Sequence, residues 1–131
     1  MAGDRRPELG RLGERLAERH LTKTGYRVLD RNYRTREGEI DLIAFGGGTL
    51  VFCEVKTLAA PSGRARGPTS PFETIHPRKR RQVRRMAGAW LAERRAAGKS
   101  PRYRDIRFDA IGVVLSASGR VLSLEHLAEA F

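Results

Sequence analysis

Gly38-Glu39-Ile40-Asp41-Leu42-Ile43 and Val51-Phe52-Cys53-Glu54-Val55-Lys56 are the two runs from which the rest of the chain is read. Both are rich in β-branched and aromatic residues, which suit a pleated strand. Gly46-Gly47-Gly48 lies between them, and glycine accepts the positive φ that a tight hairpin turn needs. Glu39 to Phe45 and Thr49 to Lys56 are therefore expected to pair as an antiparallel hairpin. Side chains alternate faces along a strand. Glu39 and Asp41 then share one face of the first strand, and Glu54 and Lys56 share one face of the second. With Gly47-Gly48 as a two-residue turn, Gly46 pairs with Thr49. Counting back from there puts Asp41 opposite Glu54 and Glu39 opposite Lys56, with opposed side chains ~5 Å apart.

Opposed carboxylates repel and cost stability unless something compensates. A hard divalent cation does so: magnesium takes oxygen ligands, usually one or two carboxylates with waters and substrate phosphate. Such an ion polarises a phosphodiester and makes a water a better nucleophile. A neighbouring ammonium orients that water or stabilises charge on the pentavalent phosphorane. Carboxylates and a lysine in this register suit phosphodiester hydrolysis. A solvent-facing hairpin braced by cross-strand ion pairs, Glu39–Lys56 among them, would use the same residues. Two details weigh against it. Phe52 lies on the side of Glu54 and Lys56, so that side is not plain polar surface. Lysine is also scarce, since arginine outnumbers it 22 to 4. Arginine would serve a surface charge equally well, whereas lysine is a compact charge whose pKa can be tuned.

Outward from the hairpin, residues 8–24 are expected to form a helix, with Leu9, Leu12, Leu16 and Leu21 at helical spacing, Ala17 among them, and Gly25 as its stop. Tyr26 to Arg34 reads as a strand and 35–38 as a turn. Residues 57–75 hold Pro61, Gly63, Gly67, Pro68 and Pro71 and are expected to be a long mobile loop, which in a small domain is usually functional or disordered. A second helix is expected over 77–97, with Val83, Met86, Ala87, Trp90 and Leu91 as its apolar stripe. Arg104 to Leu115 reads as a strand, Arg120 to Ser123 as a short one, and Leu124 to Phe131 as a terminal helical turn or two. The fold class is α/β, a mixed sheet with helices on its faces. The length of 131 residues is that of one domain, taken as residues 1–131.

The single cysteine, Cys53, has no internal disulfide partner and reads as a small buried hydrophobe. No apolar run approaches the ~18 residues of a membrane span. The opening MAGDRRPELG lacks an apolar signal core. A cytoplasmic protein with no membrane association is expected. The formal net charge of +11 draws polyanions, nucleic acid foremost. Much of it comes from the second helix, where Arg78, Lys79, Arg80, Arg81, Arg84, Arg85, Arg94 and Arg95 face only Glu93. Lys79 precedes Val83 by one turn, so it sits at the end of the buried stripe and points towards the hairpin. Arg78, Arg80, Arg81, Arg84 and Arg85 are expected to hold a nucleic-acid backbone beside it, without base readout. Asp109 reads as the structural partner of a nearby arginine. His20, His76 and His126 show no metal-ligand spacing.

Asp41 followed by Glu54-Val55-Lys56 resembles the D…(D/E)-x-K core of the PD-(D/E)xK, restriction-endonuclease-like nucleases. The chain as a whole resembles the YraN family of small bacterial proteins, which are predicted endonucleases. The likeness runs through Gly13-Glu14 with Ala17, Gly25-Tyr26, Arg31-Asn32-Tyr33-Arg34, residues 38–44 and 51–56, Lys79 with Arg81, Arg107-Phe108-Asp109, and Ala130-Phe131. It departs at Thr57-Leu58, where a basic residue is expected soon after the lysine, and in the length of the 57–75 loop. The resemblance implies a β-hairpin core flanked by helices in the order αβββαβ, as in archaeal Holliday-junction resolvases. It implies Asp41 and Glu54 as Mg²⁺ or Mn²⁺ ligands, Lys56 as the group that orients or activates water, and Glu14 as the helical carboxylate that completes the site. Glu39 is expected in support beside these ligands. Resolvase-like relatives act as dimers because two strands must be cut, so a homodimer is expected here too.

Three functions fit these residues. The first is a metal-dependent endonuclease acting on DNA, branched or single-stranded. The second is a non-catalytic nucleic-acid-binding protein of DNA repair, recombination or uptake. The third is an interaction module whose basic helix docks an acidic partner. Intact Asp41, Glu54 and Lys56 favour the first.

Overall fold

Leu9, Gly13, Ala17 and Leu21 recur every fourth residue and form the buried ridge of the first helix, α1 (Arg6–Lys23). In this computed structural model, residues 6–60 and 77–131 are described. Gly25, at a φ of +99°, turns the chain out of α1 as the sequence predicts, because only glycine takes that conformation without strain. The chain continues as β1 (Arg27–Thr35), β2 (Gly38–Gly46), β3 (Thr49–Ala60), α2 (Pro77–Ala96), β4 (Asp105–Ser116) and β5 (Val121–Leu127).

The strands form one sheet in the order β1-β2-β3-β4-β5. β3 and β4 run parallel, and the other neighbours are antiparallel. A parallel pair needs a long crossover, and α2 lies in it. The Gly47-Gly48 turn has both residues at positive φ, 58° and 80°, and Gly46 pairs with Thr49, so the hairpin turn is as read. β3 alternates between two cores. Leu50 and Phe52 pack with Val83, Met86, Trp90 and Leu91 of α2. Val51 and Cys53 pack with Leu9, Ala17 and Leu21 of α1. Each helix thus covers one face, and Cys53 is the buried hydrophobe expected. Phe52 and Trp90 meet edge to face at 5.7 Å, an arrangement worth about 1 kcal/mol beyond burial. This is the restriction-endonuclease-like α/β architecture that was expected.

Two boundaries differ from expectation. Residues 57–60 are strand rather than loop: parallel β4 pairs Thr57 to Ala60 with Val113 to Ser116. The remaining loop residues, 61–75, lie outside the described residues. Residues 124–127 are strand rather than helix. Leu124 and Leu127 stand three apart as on a helix, but pairing with Val113 and Ala110 of β4 satisfies their backbone in a sheet. The short fifth strand expected at 120–123 is thereby lengthened to Leu127.

Candidate metal centre

The hairpin ladder stops one residue short of the site. Its last pair is Leu42↔Cys53, so the expected oppositions Asp41–Glu54 and Glu39–Lys56 are not made as ladder pairs. The physical reason is a slip in the phase of β2. Ile40 and Ile43 pack in the α2 core, whereas Leu42 and Ala44 pack in the α1 core. Strict alternation would have kept Ile40 with Leu42. The slip falls at Asp41, and its carboxylate takes over from the ladder: Val55 N–H donates to Asp41 Oδ2 at 2.7 Å.

Glu14 arrives from α1. Gly13 beside it lies hard against β3: a Cβ there would meet Thr57 Oγ1 at 1.9 Å. The close approach brings the helix down on the sheet and Glu14 within reach of β2. One carboxylate oxygen each from Glu14, Glu39 and Asp41 lie within 4.8 Å of one another. Asn32 of β1 ties the two glutamates together, its Nδ2 donating to Glu39 Oε1 at 3.1 Å and to Glu14 Oε2 at 3.3 Å. Asn32 stands at a φ of +51°, a conformation asparagine tolerates better than other non-glycine residues. Arg34 Nε donates to Glu39 Oε2 at 2.6 Å. Glu39, expected only in support, is therefore part of the carboxylate group itself.

Burial pushes the Asp41 carboxyl up to about 8, against the Val55 hydrogen bond, and Glu39, Glu14 and Glu54 add to the rise. Burial would also raise Glu39. Hydrogen bonds from Asn32 and Asp41 and the Arg34 guanidinium outweigh it and hold Glu39 below the usual carboxylate range. Acids whose pKa values are pushed apart in one small site are a common mark of function. Oxygen donors alone, all three half-buried, form a set suited to a hard cation, so these residues could bind a metal.

Glu54 is outside the group of three and forms an ion pair with Lys79, Nζ to Oε1 2.9 Å. Lys79 thus points to the hairpin as expected. Lys56 is exposed and has no ion pair among the described residues. On α2, Arg78, Arg80 and Arg81 are exposed. Arg85 is bound to Glu37, Nε to Oε1 2.6 Å. Arg84 lies over the Phe108 ring at 4.7 Å and donates to the Phe131 carbonyl.

Sequence reading gave no role to Asn32, although an asparagine inside a strand pattern is itself a signal. It also left the histidines unpaired. Asp109, fully buried, accepts both Arg107 hydrogen bonds at 2.8 Å, as expected of it. It also meets His126 Nε2 at 2.6 Å, and His126 Nδ1 meets His20 Nε2 at 3.0 Å. Burial and then His126 lower the His20 pKa. Asp109 lies outside the carboxylate group, as expected. His76 lies outside the described residues.

The model of the Uncharacterised protein family UPF0102 matches residues 13–113. A UPF0102 protein of Frankia alni is 45% identical over 131 residues, covering all of both chains. One of Chlorobaculum parvum is 40% identical over 94% of this chain and 91% of its own. One of Dictyoglomus thermophilum is 36% identical over 95% of this chain and 97% of its own. The matched span holds Glu14, Asn32, Glu39, Asp41, Glu54 and Lys56 together, and the chain belongs to the UPF0102 (YraN) family.

Proposed function

We propose that this protein is a Mg²⁺- or Mn²⁺-dependent endonuclease that hydrolyses phosphodiester bonds of DNA. The observation that carries the reading is the convergence of Glu14, Glu39 and Asp41, oxygens within 4.8 Å, beside Glu54 and Lys56 on a restriction-endonuclease-like sheet. Glu14, Glu39 and Asp41 would hold the ion, with Glu54 joining them if Lys79 releases it. The ion, when bound, supplies Lewis-acid polarisation of a phosphate oxygen and a more acidic water. Asn32 fixes the two glutamates against each other, as an outer partner of metal ligands does. Val55 N–H fixes Asp41. Lys56, which is exposed, would orient the attacking water and stabilise charge on the phosphorane. Lys79 would touch the scissile phosphate, and Arg78, Arg80 and Arg81 the backbone beside it. The 3′ oxygen would leave. Cutting both strands of a branched or duplex substrate needs two such sites, so a homodimer belongs to the proposal. A strictly monomeric mass by light scattering would remove that part.

The test is cleavage of labelled linear, single-stranded and four-way-junction DNA with Mg²⁺ or Mn²⁺. Wild type is compared with Asp41→Ala and Lys56→Ala, each shown to be folded. Metal-dependent cleavage by wild type, abolished by Asp41→Ala, is the expected result. DNA binding without cleavage of any substrate would leave a non-catalytic nucleic-acid-binding protein instead.

A further inference from the structure

Arg11, Arg15, Arg19 and Lys23 recur every four residues along α1, about 6 Å apart along the helix axis. That is the scale of the spacing between successive phosphates on an extended strand. Arg15, Arg19 and Lys23 line one wall of a groove of about 580 Å³ between α1 and β1. Arg27 and Arg31 of β1 line the other, and Glu18 is its one acid. Glu18 is already ion-paired with Arg31. Arg15, Arg19, Lys23 and Arg27 are exposed and ion-paired with no described residue.

The groove does not end blindly. A second cleft of about 200 Å³ shares Arg15, Glu18 and Arg31 with it and reaches Glu14, Asn32 and Asp41. The two form one basic path that opens onto the carboxylate group. Charges on an edge strand such as β1 also discourage edge-to-edge pairing, but that leaves the row on α1 without a reason. On α2, by contrast, Lys79 and Arg85 are occupied by Glu54 and Glu37.

We propose that the α1–β1 groove binds the sugar–phosphate backbone of one nucleic-acid strand and leads it to the carboxylate group. This rests on the nuclease reading only for the direction of the strand; the binding itself does not need catalysis. The groove wall has phosphate-seeking cations and, in Tyr26, a ring already held by Arg107. Binding through it is therefore independent of base sequence.

The test is fluorescence anisotropy in EDTA, so that cleavage plays no part, with a short single-stranded DNA and an RNA of the same sequence. Arg15→Glu/Arg19→Glu/Arg27→Glu is compared with the charge-matched Arg95→Glu/Lys99→Glu/Arg102→Glu. The second set lies in and after the last turn of α2, which packs on the opposite face. Folding is checked by circular dichroism, and Arg15→Gln/Arg19→Gln/Arg27→Gln replaces the reversal if it unfolds. The groove triple should weaken binding about tenfold or more and lower the slope of log K against log salt by about 2. The matched triple should lose far less. The better-bound strand identifies DNA or RNA as the source of the backbone. Equal losses in the two triples, or no binding of either strand by wild type, would overturn the proposal. Binding that follows the groove while wild type never cleaves would sustain the groove and sink the nuclease.

Discussion

Asp41 carries the sharpest consequence at the scale of single residues. Its carboxyl is raised from an ordinary 3.8 to about 8 by burial and by Glu39, Glu14 and Glu54. The folded protein therefore holds a proton that the unfolded chain gives up. Stability from this group is fully present below the ordinary carboxylate range and is lost as pH rises towards about 8. Asp41→Asn keeps an acceptor for Val55 N–H and removes the titration. In EDTA, its stability advantage over wild type should grow by about 1 kcal/mol or more between pH 5 and pH 8, read from urea melts at each pH. A flat difference would mean that Asp41 is ionised in the metal-free fold. Asn32 gives a second prediction. Asn32→Gly keeps the +51° conformation but loses both hydrogen bonds to the glutamates. Its Tm should change little, and its affinity for Mn²⁺, measured by calorimetry, should fall about tenfold or more. Both residues are visible in the sequence, but only Asp41 announces itself, because a carboxylate in a hairpin with Glu54-Val55-Lys56 has a chemical reading and an isolated asparagine does not.

At the scale of elements, α1 meets β3 without room to spare. Gly13 is the contact, with no room for a Cβ against Thr57. Alanine is the better helix former by about 1 kcal/mol, yet Gly13→Ala should destabilise by about 1–3 kcal/mol, because overpacking outweighs propensity. Thr57→Ala in the same chain should recover part of the loss, a coupling that a double-mutant cycle in urea would show. Additive losses would mean the helix seats elsewhere. The helices themselves are legible from their periods: the Leu9–Leu21 ridge and the Val83–Leu91 stripe are the buried faces. The last strand is not. Leu124 and Leu127 fit a helix by spacing alone, and the unpaired edge of β4 is what makes them a strand.

Across the whole molecule, Asp109 is a fastening between strands and α1, separate from the carboxylate group. It joins Arg107 of its own strand, His126 of β5 and the Glu129 N–H. Arg107 reaches on to Tyr26 just before β1, and His126 to His20 of α1. Burial would raise the Asp109 carboxyl, but His126, Arg107 and the Glu129 N–H together hold it below its ordinary value. The sign is opposite to that of Asp41: this stability is present above the ordinary carboxylate range and is lost as acid takes the pH through the lowered pKa. Asp109→Asn leaves buried partners without their anion and should cost about 3–5 kcal/mol at neutral pH, with the difference shrinking in acid. A loss under about 1 kcal/mol in urea unfolding would show that water replaces the carboxylate.

What the sequence determined by itself was the class of fold, the hairpin with its Gly47-Gly48 turn, the two helix faces, and the identity of Asp41, Glu54 and Lys56 as residues of interest, with Glu14 added only by the family resemblance. These are local matters, set by side-chain period, turn chemistry and motif. The tertiary structure decided which carboxylates share a site. A change of face between Ile40 and Leu42 of β2 leaves Asp41 beyond the last pair with β3, and Asn32 from the neighbouring strand draws Glu39 and Glu14 together. Register counted along a hairpin assumes an unbroken alternation, and nothing local reveals where a third strand and a helix will break it. The same holds for His20 and His126, far apart in the chain and 3.0 Å apart in the fold, and for the basic groove, whose two walls belong to different elements. Proximity between distant residues comes from packing the whole chain into one shape, and a one-dimensional pattern contains it only after that packing is known.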